Sequence, residues 1–262
     1  MNVIEELEKF YCEFKGEKGY IGSTVNGKLI SYFQVSKTNY PTLIVQYAIH
    51  AREYITTYLA LKQIRQFEKK GKVGTVFFLP MLNADGVEIA LKENSLYKAN
   101  ANGVDLNVNF DARWGKGRQN VRQKGDQNYI GKQPFSEPES KSLRDFTLFV
   151  KPDMTISYHS KGEEIYYEFF QEEEQRERDY RLAKTVVDIT GYQIKSTPDS
   201  CGGYKDWCIS MLKIPSLTIE VGDDRLKHPI KKYRLREIYQ KNANVLCALT
   251  QKLWETNAKK IY

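Results

Sequence analysis

Histidine is scarce in this chain, with three in 262 residues, so His50, His159 and His228 can each be weighed singly. The four cysteines, Cys12, Cys201, Cys208 and Cys247, are scattered and show no C-x-x-C spacing. That excludes a disulfide framework and a cysteine-built metal site. No apolar run approaches the roughly 20 residues that a membrane-spanning helix needs. The first ten residues lack the basic start and apolar core of a secretory signal and read as an acidic amphipathic helix. Together these absences set the expectation of a reduced, cytoplasmic setting. There is no repeat, low-complexity tract or Pro/Gly/Ser linker, so one domain is expected over 1–262, with 1–20 as an N-terminal helical extension. A formal net charge of +7 would suit nucleic acid, anionic membranes or anionic substrates. Yet no dense basic stripe or nucleic-acid motif is present. The basic residues interleave with acidic ones, as from Glu172 to Arg178, the pattern of a solvated helix face. Neither nucleic acid nor membrane is expected as a partner.

What is present is a core-forming composition, 41% hydrophobic and 28% charged. Apolar or alternating stretches predict strands at 28–35 (an edge strand), 42–49, 74–81, 154–159, about 163–169 and 215–221. Helical patterns fall at 3–14, 52–69, 137–149, 173–190 and 231–256. Ser136 is the expected N-cap of the third, with Pro138 at its start and Glu139 closing a capping box. Residues 88–133 are long, polar and Asn/Gly-rich, and a loop of that length inside a compact domain is usually functional. Strands alternating with helices predict an α/β fold, a largely parallel sheet covered on both faces.

The strand at 42–49 runs into Ile49-His50-Ala51-Arg52-Glu53. An imidazole and a carboxylate three residues apart meet on one face of a helix's first turn and can hold two corners of a tetrahedral Zn²⁺. Alone, such a pair more often marks a solvated helix start. Catalytic zinc wants a third protein ligand and one open position. His159 ends the strand 154–159, where side chains reach the ligand crevice of an open α/β sheet. Zinc-water hydrolysis also needs a general base. Glu220 ends the strand in Pro215 to Gly222, a place where a carboxylate is costly unless it is paired or used. His228, in a charged stretch before Pro229, reads as a surface-loop histidine.

In order along the chain, the blocks IHAREYIT (49–56), LNADG (82–86), NGVDLNVNFDARWG (102–115), SEPES (136–140), ISYHS (156–160) and PSLTIEVG (215–222) resemble the carboxypeptidase A-like zinc metallopeptidases. The segment GGYKDWC (202–208) looks most like their bacterial γ-D-glutamyl-meso-diaminopimelate peptidases. The resemblance covers roughly 20–250. It implies a twisted mixed sheet of about eight strands, with one Zn²⁺ per chain at its C-terminal rim. His50, Glu53 and His159 would be the ligands and Glu220 the catalytic carboxylate. Asp105 would accept the His50 ring N–H, fixing its tautomer. Lys98 or Arg52 would stabilise the oxyanion. The implied substrate is a peptide, most specifically a peptidoglycan stem peptide (a muropeptide). A metallocarboxypeptidase acting on ordinary L-peptides is the main alternative, and a non-catalytic peptide-binding protein the lesser one.

Two departures stand out. Where the family has Asn-Arg-Asn, with the arginine clamping a substrate carboxylate, this chain reads Asn107-Val108-Asn109. Valine makes no bidentate contact. Lys98 stands near the place of an oxyanion arginine, a point charge rather than a fork. Asn107 is therefore a substrate-binding candidate, and Arg113 a candidate replacement clamp with Arg118 and Arg122 as competitors. Tyr204, after two glycines, is a candidate to close over substrate, and Lys205 and Asp206 to recognise a charged amino acid.

Overall fold

The computed structural model of the protein describes residues 1–125 and 127–261, with side chains through Asn257. It is a single α/β domain. Its strands are β1 (Glu17–Ser23), β2 (Leu29–Ser36), β3 (Thr42–Tyr47), β4 (Thr75–Leu79), β5 (Met154–His159), β6 (Glu164–Tyr166), β7 (Gln193–Ile194) and β8 (Ser216–Glu220). Its helices are α1 (Val3–Glu13), α2 (Ile55–Lys70), α3 (Ala84–Lys92), α4 (Pro138–Val150), α5 (Glu173–Thr190), α6 (Tyr204–Leu212), α7 (Leu235–Asn242) and α8 (Val245–Ile261). One mixed sheet runs β1-β2-β4-β3-β5-β8-β6-β7. The central strands β4, β3, β5 and β8 are mutually parallel, and β2 and β6 join them antiparallel.

The parallel centre explains why these strands are continuous apolar runs: both faces are covered. In β3, Leu43, Val45 and Tyr47 pack into the core on the α2 side, while Ile44 joins Leu143, Tyr204 and Trp207 on the other. Because β3, β5 and β8 run parallel in adjacent positions, their C-terminal ends open on one rim. His159 and Glu220 are register partners there.

Several expectations change. Residues 1–20 are no appendage: Val3 and Phe14 are buried in the main core, and β1 begins at Glu17. The strand at 28–35 is not at the edge, because β1 pairs outside it. β1 was illegible because its EKGYIGS sequence carries two glycines and little apolar alternation. The N-cap of α4 is Glu137, not Ser136, whose Oγ instead donates to the Glu137 carboxylate. Glu139 closes no capping box. Its carboxylate accepts from Asn100 Nδ2 and Val25 N–H, tying the 98–105 segment to α4. The last helical pattern splits into α7 and α8, and 202–212 contains α6 rather than a plain loop. Among the described residues, no helix is long and apolar enough to cross a membrane.

Candidate active site

After β3 the chain turns sharply. Ala48 adopts a left-handed conformation and its N–H donates to Thr56 Oγ1. Asn83 Nδ2 donates to the carbonyls of Ile49 and Ala99, and Ala51 N–H to that of Lys98. Residues 51–53 form one 3₁₀ turn, so His50 and Glu53 share this turn rather than the first turn of α2. The two side chains still converge, with His50 Nδ1 2.9 Å from Glu53 Oε1. From the neighbouring strand, His159 Nδ1 comes within 3.0 Å of Glu53 Oε2 and 3.1 Å of His50 Nδ1. The backbone N–H of Ser160 also donates to Glu53 Oε2, at 3.2 Å.

This cluster fits a zinc ion. Tetrahedral ligands at the usual Zn–N and Zn–O lengths sit roughly 3.3 Å apart, close to the separations here. Two ring nitrogens and both oxygens of one carboxylate converge, each able to offer a lone pair to a cation. Two imidazoles and a glutamate are also a set that binds catalytic zinc while leaving one position open. His50, Glu53 and His159 form the metal-capable group found among the described residues.

The surroundings prepare these ligands. Asp105 Oδ1 lies 3.2 Å from His50 Nε2. A carboxylate there holds the proton on Nε2 and leaves the Nδ1 lone pair facing the centre. Burial alone would push the Asp105 carboxyl up, but Lys98 and His50 overcome it and hold it well below its ordinary range. Lys98 Nζ is 2.6 Å from Asp105 Oδ2 and 2.7 Å from Asn128 Oδ1. Glu53 behaves alike: burial opposes ionisation, yet His50 and His159 keep it strongly acidic. Glu220 is the opposite case. Burial first, then the charges of Glu53 and Glu164, push its carboxyl well above the carboxylate range. Its Oε2 is shielded and has no hydrogen-bond partner. One strongly acidic and one weakly acidic carboxylate, side by side, suit a ligand and a proton carrier respectively. A cavity of about 310 Å³ opens beside His50, walled in part by Lys98, Asn107, Val108, Arg118 and Asn128.

The model of the zinc carboxypeptidase family matches residues 16–245. The chain belongs to the zinc carboxypeptidase family. It is a zinc metallopeptidase. At 26% identity over 284 residues it is similar to γ-D-glutamyl-L-diamino acid endopeptidase 1 of Lysinibacillus sphaericus, with 95% of this chain and 70% of that protein covered. Carboxypeptidase A1 of Mus musculus is 27% identical over 241 residues, covering 79% of this chain and 57% of the relative. Among solved structures, bovine thrombin-activatable fibrinolysis inhibitor in complex with tick carboxypeptidase inhibitor superposes with a TM-score of 0.85 at 22% identity, covering 98% of both chains. Murein-tripeptide amidase MpaA from Escherichia coli O157 superposes with a TM-score of 0.64 at 21% identity, covering 92% of both. At those identities the structural likeness speaks to fold alone.

The other residues chosen from the sequence part ways in the fold. Lys98, Asn107 and Val108 line the cavity. Arg52 sits in the ligand turn with its Nε shielded and without a hydrogen-bond partner. Arg113 does not line the cavity: its guanidinium lies 3.8 Å over the Phe170 ring. Tyr204 cannot close over substrate. It is the first residue of α6, fully buried, its hydroxyl 2.8 Å from Thr147 Oγ1 and its ring against Phe110. Gly203 starts α6 with its N–H on Asp206 Oδ2, which turns Tyr204 inward. Lys205 and Asp206 are buried and bond each other at 2.6 Å. His228 is not a surface histidine. It is half-buried, its Nδ1 shielded, near enough to feel the charges of Glu53 and Arg52; burial lowers its basicity.

Of the 117–120 turn, sequence reasoning named only Arg118, and it missed Asn128 and the 197–200 segment, all of which wall the cavity. Within the 88–133 stretch the sequence pointed to Lys98, Asp105, Asn107 and the three arginines, but no signal marked Asn128.

The Asp105 contact yields a direct expectation. Asp105→Ala should weaken zinc binding by about 10- to 100-fold, because His50 loses the partner that orients its ring. Competition with a chromophoric chelator measures this. Unchanged affinity would show that Asp105 serves Lys98 alone.

Proposed function

We propose that this enzyme hydrolyses an amide bond in peptidoglycan stem peptides, at the linkage between γ-D-glutamate and a diamino acid. The observation that carries the reading is Val108, which lines the cavity beside His50 where the family's clamping arginine is expected. A site without that fork favours a substrate whose carboxylates are arranged differently from an ordinary C-terminal residue. The likeness to a γ-D-glutamyl-L-diamino acid endopeptidase points the same way.

In this reading His50, Glu53 and His159 hold zinc, which when bound supplies Lewis acidity to water and to the substrate carbonyl. Glu220 takes the proton from water and returns it to the leaving amine. Once it holds that proton, its raised proton affinity suits it to deliver the proton as an acid. An ammonium has three donors; Lys98 is engaged with Asp105 and Asn128, and its remaining donor supplies positive charge to the developing oxyanion. Arg52 adds a second positive charge in the ligand turn. Asn107 contacts the substrate from the cavity wall.

The carboxypeptidase relatives favour a second reading, action on ordinary L-peptides. The two are separated by offering L-Ala-γ-D-Glu-meso-diaminopimelate and a standard C-terminal L-peptide side by side. We expect a higher kcat/KM on the γ-linked peptide; preference for the ordinary peptide reverses the order.

A further inference from the structure

With valine at 108, the cavity lacks a guanidinium from the 106–108 turn. Three arginines follow closely, and the fold separates their roles. Arg113 lies over Phe170. Arg122 lies 5.0 Å over the Trp114 ring, its guanidinium packed against Gly115. Arg118 lines the cavity together with His50, Asn107 and Val108. Its guanidinium meets only Asp199 among the described acidic groups, at 3.6 Å, with the two side chains 79% and 65% exposed. Such a pair is weak and easily exchanged. The other cationic group on the wall, Lys98, is by contrast committed to a buried partner, Asp105.

The backbone beneath Arg118 is nevertheless well held. Its N–H donates to the Asp199 carbonyl at 2.9 Å. Gly117 N–H donates to Asn120 Oδ1 at 2.8 Å, and Asn120 N–H to the Gly117 carbonyl at 3.0 Å. Gly117 also abuts the next segment so closely that an added Cβ would lie 3.0 Å from Cys201 N. An anchored turn therefore presents a lightly paired guanidinium to the cavity. Asp199 keeps it there until a stronger acceptor arrives.

We propose that Arg118 is the residue that binds the ligand's carboxylate in this site, displacing its contact with Asp199 and taking the place that Val108 leaves vacant. The inference rests on the cavity being the peptide site, and it deepens the proposed function by naming a specificity determinant. The carboxylate is gripped from the 117–120 turn rather than from the 106–108 turn, so the scissile bond need not stand at the usual distance from it.

The test is equilibrium binding on the zinc-loaded Glu220→Gln protein, so that turnover does not intervene. Two ligand pairs serve as probes: L-Ala-γ-D-Glu-meso-diaminopimelate with its C-terminal carboxamide, and an ordinary L-dipeptide with its carboxamide. We expect tighter binding of the free acid in at least one pair. Arg118→Ala should cut that acid-over-amide preference roughly 10- to 100-fold, the worth of a charge-assisted hydrogen bond, with amide affinity unchanged. Arg118→Lys should fall between. Adding Val108→Arg to Arg118→Ala should restore preference on the ordinary dipeptide, because a bidentate contact becomes available. An acid-over-amide ratio unmoved by Arg118→Ala overturns the proposal, as does an equal loss on acid and amide, or the absence of any acid preference in the parent protein. If only the ordinary dipeptide binds, and does so through Arg118, the inference stands while the stem-peptide reading fails.

Discussion

Glu220→Gln should lower kcat on the preferred peptide by roughly 10²- to 10⁴-fold, the usual worth of a positioned acid-base group, while zinc content stays at the parent level. The amide keeps the shape of the carboxylate at the end of β8 but takes no proton. Glu220 is no member of the His50, Glu53 and His159 group, so its loss should leave metal binding intact. A second readout follows from its environment. The folded-state carboxyl has its proton affinity raised by burial, then by Glu53 and Glu164. A raised acid stabilises the fold below its unfolded-state pKa, and that stability is lost as pH rises through the elevated value. The metal-free Glu220→Gln protein should therefore melt no lower than the parent at neutral pH, and its advantage should shrink in acid. Unchanged turnover with zinc bound sinks the mechanism; a sharply lowered melting temperature in the metal-free state sinks the electrostatic account.

His159→Ala should remove both metal and activity. The ring contributes one of three converging groups, its Nδ1 3.0 Å from Glu53 and 3.1 Å from His50. Two remaining ligands on one tight turn leave half the coordination sphere to water. Zinc affinity should fall by more than the ~10- to 100-fold that loss of an orienting partner costs. Turnover at stoichiometric zinc should drop to background. Metal analysis after gel filtration, beside circular dichroism to show the sheet intact, checks this. Retention of tightly held zinc by a folded His159→Ala protein would displace His159 from the centre, and half-buried His228 would become the next ligand to test.

The metal-capable group was legible because its members end, or closely follow, apolar strands. Runs such as Thr42–Tyr47 and Met154–His159 announce buried parallel strands; His159 ends the second, and His50 follows the first by three residues. The sheet centre and the helices α2, α4 and α5 were legible for the same reason: their apolar positions repeat at the period of the element they form. β1, with its glycines, and the two-residue β7 lack enough period to read. Tyr204 misled because two glycines suggested a loose loop. In the fold, Gly203 begins α6, and a tyrosine ring gains more by burial against Phe110 and Trp207 than by facing water.

Local pattern thus determined the fold class and the candidate positions His50, His159 and Glu220 beside the parallel strands, since each follows from periodicity over a few neighbouring residues. The family blocks added the His50–Asp105 pairing. Only the tertiary structure decided which arginine meets the cavity. Arg113, Arg118 and Arg122 are indistinguishable as sequence. Their fates depend on an aromatic ring 57 residues away, a tryptophan across a turn and the 197–200 segment, contacts that no local period encodes. The same holds for His228, whose charged neighbours suggest solvent while the chain folds it back towards Glu53 and Arg52. Long-range packing sets the surroundings of a side chain, and surroundings set whether a charge is spent or available.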